Sequence, residues 1–421
     1  MNVRKIALEA IDKIINKKAF SNIVVNEFLN KFELSSEDKA LFTNLVYGTI
    51  QNLMTIDFYI EPYILRKKPK PWVKNLLYMS IYQLVYLDIP SYAVVNESVD
   101  LANVKDKAIG SFVNAVLRNF LRNPLRSLDG YDDLQRLSIK YSHPLWLVAY
   151  LLKDYRMEEL EKILQENSGV KKDAIRINTL KTTKAEVIDK LLAEKIKYTE
   201  TPLVKDGLII HQAIVNNNLF TTGAITMQDI SSQMVSEMAA PAPNSIILDL
   251  CAAPGGKSAH LSAIMGNTGT IFACDVYPHK IKLMEKTFAR LGVNNVKTQL
   301  IDARNIANKV KEESFDYLIA DVPCSGLGVL SHKVDLKYKI TIKAIEEVEY
   351  LQEEILEKSY KLLKRNGFLV YSTCTINKDE NEKQIAKFLR RHPDFEKVEE
   401  KIILPFEHQT DGFYICKLRR K

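Results

Sequence analysis

The sequence predicts a multidomain protein in three parts. These are an all-α domain over residues 1–130, a small α+β module over 131–223, and an α/β domain with a doubly wound parallel sheet over 224–421. Three observations predict it. A chain of 421 residues is longer than one hydrophobic core usually serves. Apolar residues recur at helical spacing through the first third. From about residue 224, short apolar runs alternate with amphipathic stretches, the signature of strands joined by crossover helices.

In the first part, Val3, Ile6, Ala7, Ala10, Ile11, Ile14 and Ile15 share one helical face. Further helices are expected at about 38–50, 72–87, 92–103 and 108–122, the last stopped by Asn123-Pro124. Residues 1–130 hold 17 Lys/Arg against 13 Asp/Glu, a surplus of 4 within the chain's +7. Arg66-Lys67-Lys68-Pro69-Lys70-Pro71-Trp72 is the densest basic run; it reads either as a solvated loop or as a phosphate contact with an aromatic beside it. In the module, Ala174–Asn178 alternates as a strand does. Thr183 and Glu186 form a capping box for a helix through Leu192, and Tyr198 and Leu208–Ile210 flank a Lys205-Asp206-Gly207 turn. In the last part Asp229 caps a helix. Strands are expected at Ser245–Leu250, Thr270–Cys274, Val296–Ile301, Phe315–Ala320 and Gly367–Tyr371, with helices from Gly256, from Pro278 to Gly292 and from 341 to 364. The closing run Gly412–Leu418 follows no crossover helix and is expected as an antiparallel insert.

Composition excludes several classes. With 46% hydrophobic and 26% charged residues, the chain is neither disordered nor fibrous. The greasiest stretch, Leu76–Leu87, is interrupted by Ser80 and Gln83 and falls short of the roughly 20 apolar residues a membrane span needs. The N-terminus mixes charge with apolar residues, unlike a secretory signal, so a cytoplasmic protein without membrane contact is expected. The five cysteines, Cys251, Cys274, Cys324, Cys374 and Cys416, form no disulfide framework and no C-x-x-C pair, so no metal is expected.

The first strand of the α/β part runs into Asp249-Leu250-Cys251-Ala252-Ala253-Pro254-Gly255-Gly256-Lys257-Ser258. Small residues and paired glycines let a backbone approach a ligand, and such sheets bind ligands at the carboxyl ends of their strands. The loop lacks the first glycine of a P-loop, since residue 251 is cysteine, and it lacks the G-x-G-x-x-G spacing of a dinucleotide site. Asp275, Asp302 and Asp321 end the next three strands. Four acidic strand ends repel phosphate but suit a nucleoside cofactor carrying a cation: Asp275 for ribose hydroxyls, Asp302 for an adenine amino group. The sulfonium of S-adenosylmethionine is such a cation.

Two thiols follow the next strand ends, in Asp321-Val322-Pro323-Cys324 and Ser372-Thr373-Cys374-Thr375. Neighbouring strands would aim both at one crevice. A methyl donor beside a thiol suits carbon 5 of a pyrimidine, itself a poor nucleophile: a thiolate adding to carbon 6 makes carbon 5 nucleophilic. The residues alone leave open which cysteine attacks.

The runs CAAPGGKS, DVPCSGLG, YSTCT with Glu380-Asn381 after it, and QDISSQ at 228–233 together resemble the RNA cytosine carbon-5 methyltransferases of the Nol1/Nop2/Sun family. YQLVYLDIPSYAVVNESVDLA and GSFVNAVLRN (82–102 and 110–119) resemble the NusB-like RNA-binding domain fused to one branch of that family, which acts on small-subunit ribosomal RNA. The resemblance spans nearly the whole chain. It implies a NusB-like N-terminal domain, a Rossmann-like class I methyltransferase domain, S-adenosylmethionine as cofactor and small-subunit ribosomal RNA as partner; a monomer is expected, though the residues do not fix the oligomeric state. It implies Cys374 as nucleophile, Cys324 as the thiol that aids release, Asp321 as holding the base, and Lys257 beside cofactor and base. Cofactor contacts would come from Cys251, Ala252, Ala253, Pro254, Gly255, Gly256, Lys257, Asp275, Asp302 and Asp321. Arg176 and Asn178 match a basic strand implicated in an RNA-facing subdomain. The segment Ser331–Tyr338 departs from the family's pattern, lacking a proline and one basic residue. The same chemistry on transfer RNA, or a non-catalytic RNA-binding assembly factor, are the alternative readings.

Overall fold

Asp132 and Gln135 form a capping box that restarts a helix soon after Asn123-Pro124 has stopped one. Residues 133–168 therefore continue as three helices, Asp133–Lys140, Leu145–Leu151 and Met157–Ser168, where a mixed module was expected from 131. The computed structural model describes every residue except 1, 66, 170, 171, 213, 215, 216 and 409. It divides into two units: Met1–Gly169 with Leu330–Lys339, and Val170–Val329 with Ile340–Lys421.

The first unit is helical, and its core is built from the periodic faces read in the sequence: Ile6, Ala7, Ala10, Ile11 and Ile14 of the first helix pack with Leu45, Leu76, Leu77, Val113 and Leu117. The greasy run from Leu76 lies within the helix Pro71–Tyr86, buried on most sides, with Leu87 as the extended residue that ends it. Trp72 packs against the same core, with the Lys105 ammonium 4.3 Å from its ring centroid. Lys67, Lys68 and Lys70 are exposed; Arg66 of that basic run lies outside the described residues.

The second unit holds two sheets. A four-stranded antiparallel sheet has the order β2-β3-β1-β4, with β1 Asp173–Ile177, β2 Tyr198–Glu200, β3 Gly207–Ile210 and β4 Ile225–Met227. The larger sheet comprises β5 Ile246–Asp249, β6 Thr270–Asp275, β7 Val296–Leu300, β8 Phe315–Asp321, β9 Leu363–Thr373, β10 Phe395–Ile403 and β11 Phe413–Arg420, in the order β10-β11-β9-β8-β5-β6-β7. From β7 to β9 the pairing is parallel, and β11 and β10 complete it antiparallel. The expected antiparallel insert is β11. The helix expected through 364 ends at Ser359, and β9 starts at Leu363, ahead of the expected Gly367. Strand β10 was not anticipated.

Chain order reverses at β5, which has β6 on one side and β8 on the other. That switch point lies where the carboxyl ends of β5 and β8 deliver the 250–257 loop and Asp321. Among the described residues, no helix is long and apolar enough to cross a membrane.

Candidate active site

Register brings the two thiols together. Strands β8 and β9 pair with Ala320 opposite Tyr371 and Asp321 opposite Ser372, so Cys324 and Cys374 leave the sheet side by side. Their sulfurs are 3.3 Å apart. The backbone holds them there: Gly328 N–H donates to the Cys374 carbonyl at 3.1 Å, and Gly412 N–H donates to the Gly328 carbonyl at 2.9 Å. Beneath them Glu380, fully buried, accepts from Ser325 N–H at 2.8 Å, Gln352 Nε2 at 2.9 Å and Asn377 Nδ2 at 3.0 Å. Burial raises the Glu380 carboxyl despite these donors. Asn381 accepts from Thr373 Oγ1 and donates to the Thr375 carbonyl, bracing the turn that carries Cys374.

Lys257 Nζ donates to Asp321 Oδ2 at 2.7 Å, and Ser372 Oγ donates to Asp321 Oδ1 at 2.8 Å. Burial works to lower the Lys257 ammonium, but Asp321, Cys374 and Asp249 outweigh it and hold it above its usual value. Cys324 is pushed well up, first by its hydrogen bond to Cys374 and then by burial. The site thus sets two sulfurs in contact, the Cys374 one within the electrostatic reach of Lys257.

The glycine loop is folded tightly. Ala252 N–H donates to the Cys274 carbonyl at 2.8 Å, and Gly255 has φ +100°, with Phe288 3.0 Å from where a Cβ would stand. Glycine is thus required at 255 by its left-handed φ and by the Phe288 ring packed against it. Asp275 is buried, accepting Tyr277 N–H at 3.0 Å with Lys280 at 3.5 Å, and is suited to accept further hydroxyl donors. Asp302 meets Arg304 through both oxygens, which lowers its carboxyl, so an adenine amino group would have to share it. Asp249 is fully buried and accepts from Ser258 Oγ at 2.6 Å; it braces the loop from behind. Burial, then Asp249, Asp321 and Asp275, push the Cys251 thiol well up, which favours its protonated form.

The structure therefore brings Lys257, Asp321, Cys324 and Cys374 together, with the 251–256 loop following β5 and Asp275 ending β6. Arg176, in β1, and Asn178, just after it, are both buried, and the Arg176 guanidinium nitrogens have no hydrogen-bond partner among the described residues. Asn178 Nδ2 donates to the Gly223 and Leu291 carbonyls, and burial lowers the Arg176 guanidinium to about 9. Sequence reasoning missed Ser372, Gln352 and Asn377. Ser372 was legible as the residue aligned with Asp321; the other two become visible only once the Ile342–Ser359 helix is packed.

A family model described as 16S rRNA methyltransferase RsmB/F matches residues 236–419. The probable ribosomal RNA small subunit methyltransferase B of Bacillus subtilis (strain 168) is 38% identical over all of this chain and 99% of its own length. The chain belongs to the RsmB/F family. A NusB family model matches 1–122, and the ferredoxin-like domain of RsmF/B-like methyltransferases matches 143–216, in agreement with the helical and α+β parts read from the sequence. A second RsmB/F relative, the probable ribosomal RNA small subunit methyltransferase B of Synechocystis sp., is 33% identical over the full length of both chains. The crystal structure of PH0851 superposes with a TM-score of 0.85 and 26% identity, covering all of this chain and 99% of that one.

Proposed function

We propose that the protein transfers a methyl group from S-adenosylmethionine to carbon 5 of a cytosine in small-subunit ribosomal RNA, through a covalent bond between Cys374 and the base. The observation that carries this reading is the pair of sulfurs at 3.3 Å beside the Lys257–Asp321 ion pair. RNA as substrate class is supported by the NusB-like domain and by what the relatives are named for.

The cofactor supplies an electrophilic methyl carbon. It would be held by the 251–257 loop, Asp275 and Asp302, with Asp321 near its reacting end. Cys374 Sγ, as thiolate beside the Lys257 charge, bonds to carbon 6 of a cytosine turned out of its stack. The electrons of the 5,6 double bond move to carbon 5, which takes the methyl carbon as its bond to the donor sulfur breaks. Once Cys374 is tied to carbon, Cys324 no longer shares a proton with it. Cys324 then ionises, its proton leaving to solvent, and its thiolate takes the carbon-5 proton. The electron pair left behind restores the 5,6 double bond and expels Cys374 as thiolate. Asp321 and Lys257 hold the polar edge of the base throughout.

The test is Cys374→Ala with unmethylated small-subunit rRNA and labelled S-adenosylmethionine. The expected result is loss of methyl transfer with cofactor binding retained; normal turnover by this variant would refute the covalent reading.

A further inference from the structure

The chain does not pass directly from the Cys324 loop into the next helix of its own unit. Residues Leu330–Lys339 belong instead to the helical unit. Val334 lies in that unit's hydrophobic core, and Tyr338 packs against it. Asp335, buried, accepts from Ser21 N–H at 3.2 Å and from Ser21 Oγ. Lys339 Nζ donates to the Ala19 carbonyl at 2.7 Å. Lys337 has no exposed surface and donates to the Gln51 carbonyl at 2.8 Å, and Tyr338 Oη meets Ser142 Oγ at 2.9 Å.

This is more than a connection needs. Burying an ammonium against one carbonyl costs several kcal/mol in desolvation, and an apolar plug would anchor the segment without that cost. What polar anchors add is register, because Asp335 and Lys337 each find hydrogen-bond partners in one position only.

Both legs of the segment lead to Cys324. Upstream, residues 325–329 are tied to the reacting strand through Ser325 N–H on Glu380 and Gly328 N–H on the Cys374 carbonyl. Downstream, Thr341 caps the helix Ile342–Ser359, whose Gln352 donates to the Pro323 carbonyl at 2.9 Å and to Glu380 at 2.9 Å. We propose that residues 330–339 are a strap whose buried anchors position the Cys324 loop, with Asp335 and Lys337 as positioning residues for the release step. The proposal rests on the reading that Cys324 completes release of Cys374. Cys374 directly follows β9, which β8 and β11 hold on both sides up to Ser372 and Thr373, so a slack strap impairs release more than attack.

The experiment compares full-length wild type with Lys337→Met, Ser21→Ala, Asp335→Ala, and a chain with two glycines inserted between Val329 and Leu330. Each is assayed on unmethylated small-subunit rRNA for first-turnover methyl transfer, steady-state rate, and RNA adduct surviving denaturant. We expect steady-state turnover to fall about tenfold, since small misplacements of a reacting group cost that much or more. First-turnover transfer should stay within about twofold of wild type, and adduct should accumulate. Should the point variants fail to fold, the glycine insertion, which leaves every strap contact in place, gives the same readout. Unchanged turnover, or a steady-state loss matched by an equal first-turnover loss, overturns the strap. A wild-type protein that transfers no methyl overturns the functional reading instead.

Discussion

At the scale of single residues, the two thiols differ in what holds them. Cys324 is pushed up first by its neighbour, whereas Cys374 has Lys257 acting on it. Cys324→Ala should therefore leave attack intact and block release, so a denaturant-resistant RNA adduct should accumulate; a denaturing gel with no shifted band would count against that role. Asp249 makes a separate prediction. Burial, the largest influence, raises its carboxyl from 3.8 to about 7. Between those values the folded state keeps a proton that the unfolded chain has lost, so this group's contribution to stability is present at low pH and falls as pH rises towards 7. Asp249→Asn keeps an acceptor for Ser258 and removes the titration. Its urea midpoint relative to wild type should thus rise from pH 5 to pH 8, and a constant difference would contradict the shift. Cys324, Cys374, Asp321 and Lys257 were all legible as residues, because each sits in a short motif at a strand end. Their roles as acceptor and donor were not, since hydrogen-bond partners come from other strands.

At the scale of elements, the thiols depend on a close crossing of two chain segments. A Cβ on Gly328 would stand 1.9 Å from the Gly412 carbonyl oxygen, a backbone atom that cannot swing aside. Gly328→Ala should force the Cys324 loop from β11, costing about 1–3 kcal/mol of stability as overpacking does and lowering methyl transfer; chemical denaturation together with the methyl assay would check both. Strands β5, β6, β8 and β11 were readable because their apolar runs are buried. Strand β10 was not. It is an edge strand whose centre, Glu396-Lys397-Val398-Glu399-Glu400-Lys401, is largely exposed, and charges that protect an edge from aggregation also erase its strand pattern. Helices 133–168 were obscured in the opposite way, being short pieces separated by turns.

At the scale of the whole molecule, the sequence by itself determined the class of each part, the order of the parts and the motifs that carry the chemistry. Periodicity and strand-end composition are local, and they survive without any knowledge of what packs where. Tertiary structure alone decided that Arg176 and Asn178 are interior, that Asp302 is shared with Arg304, and that Lys337 and Asp335 are buried anchors and not loop charges. The physical reason is the same in each case. Charge and polarity written along a chain do not say whether water or a protein group will satisfy them, and that choice is made by residues far away in sequence.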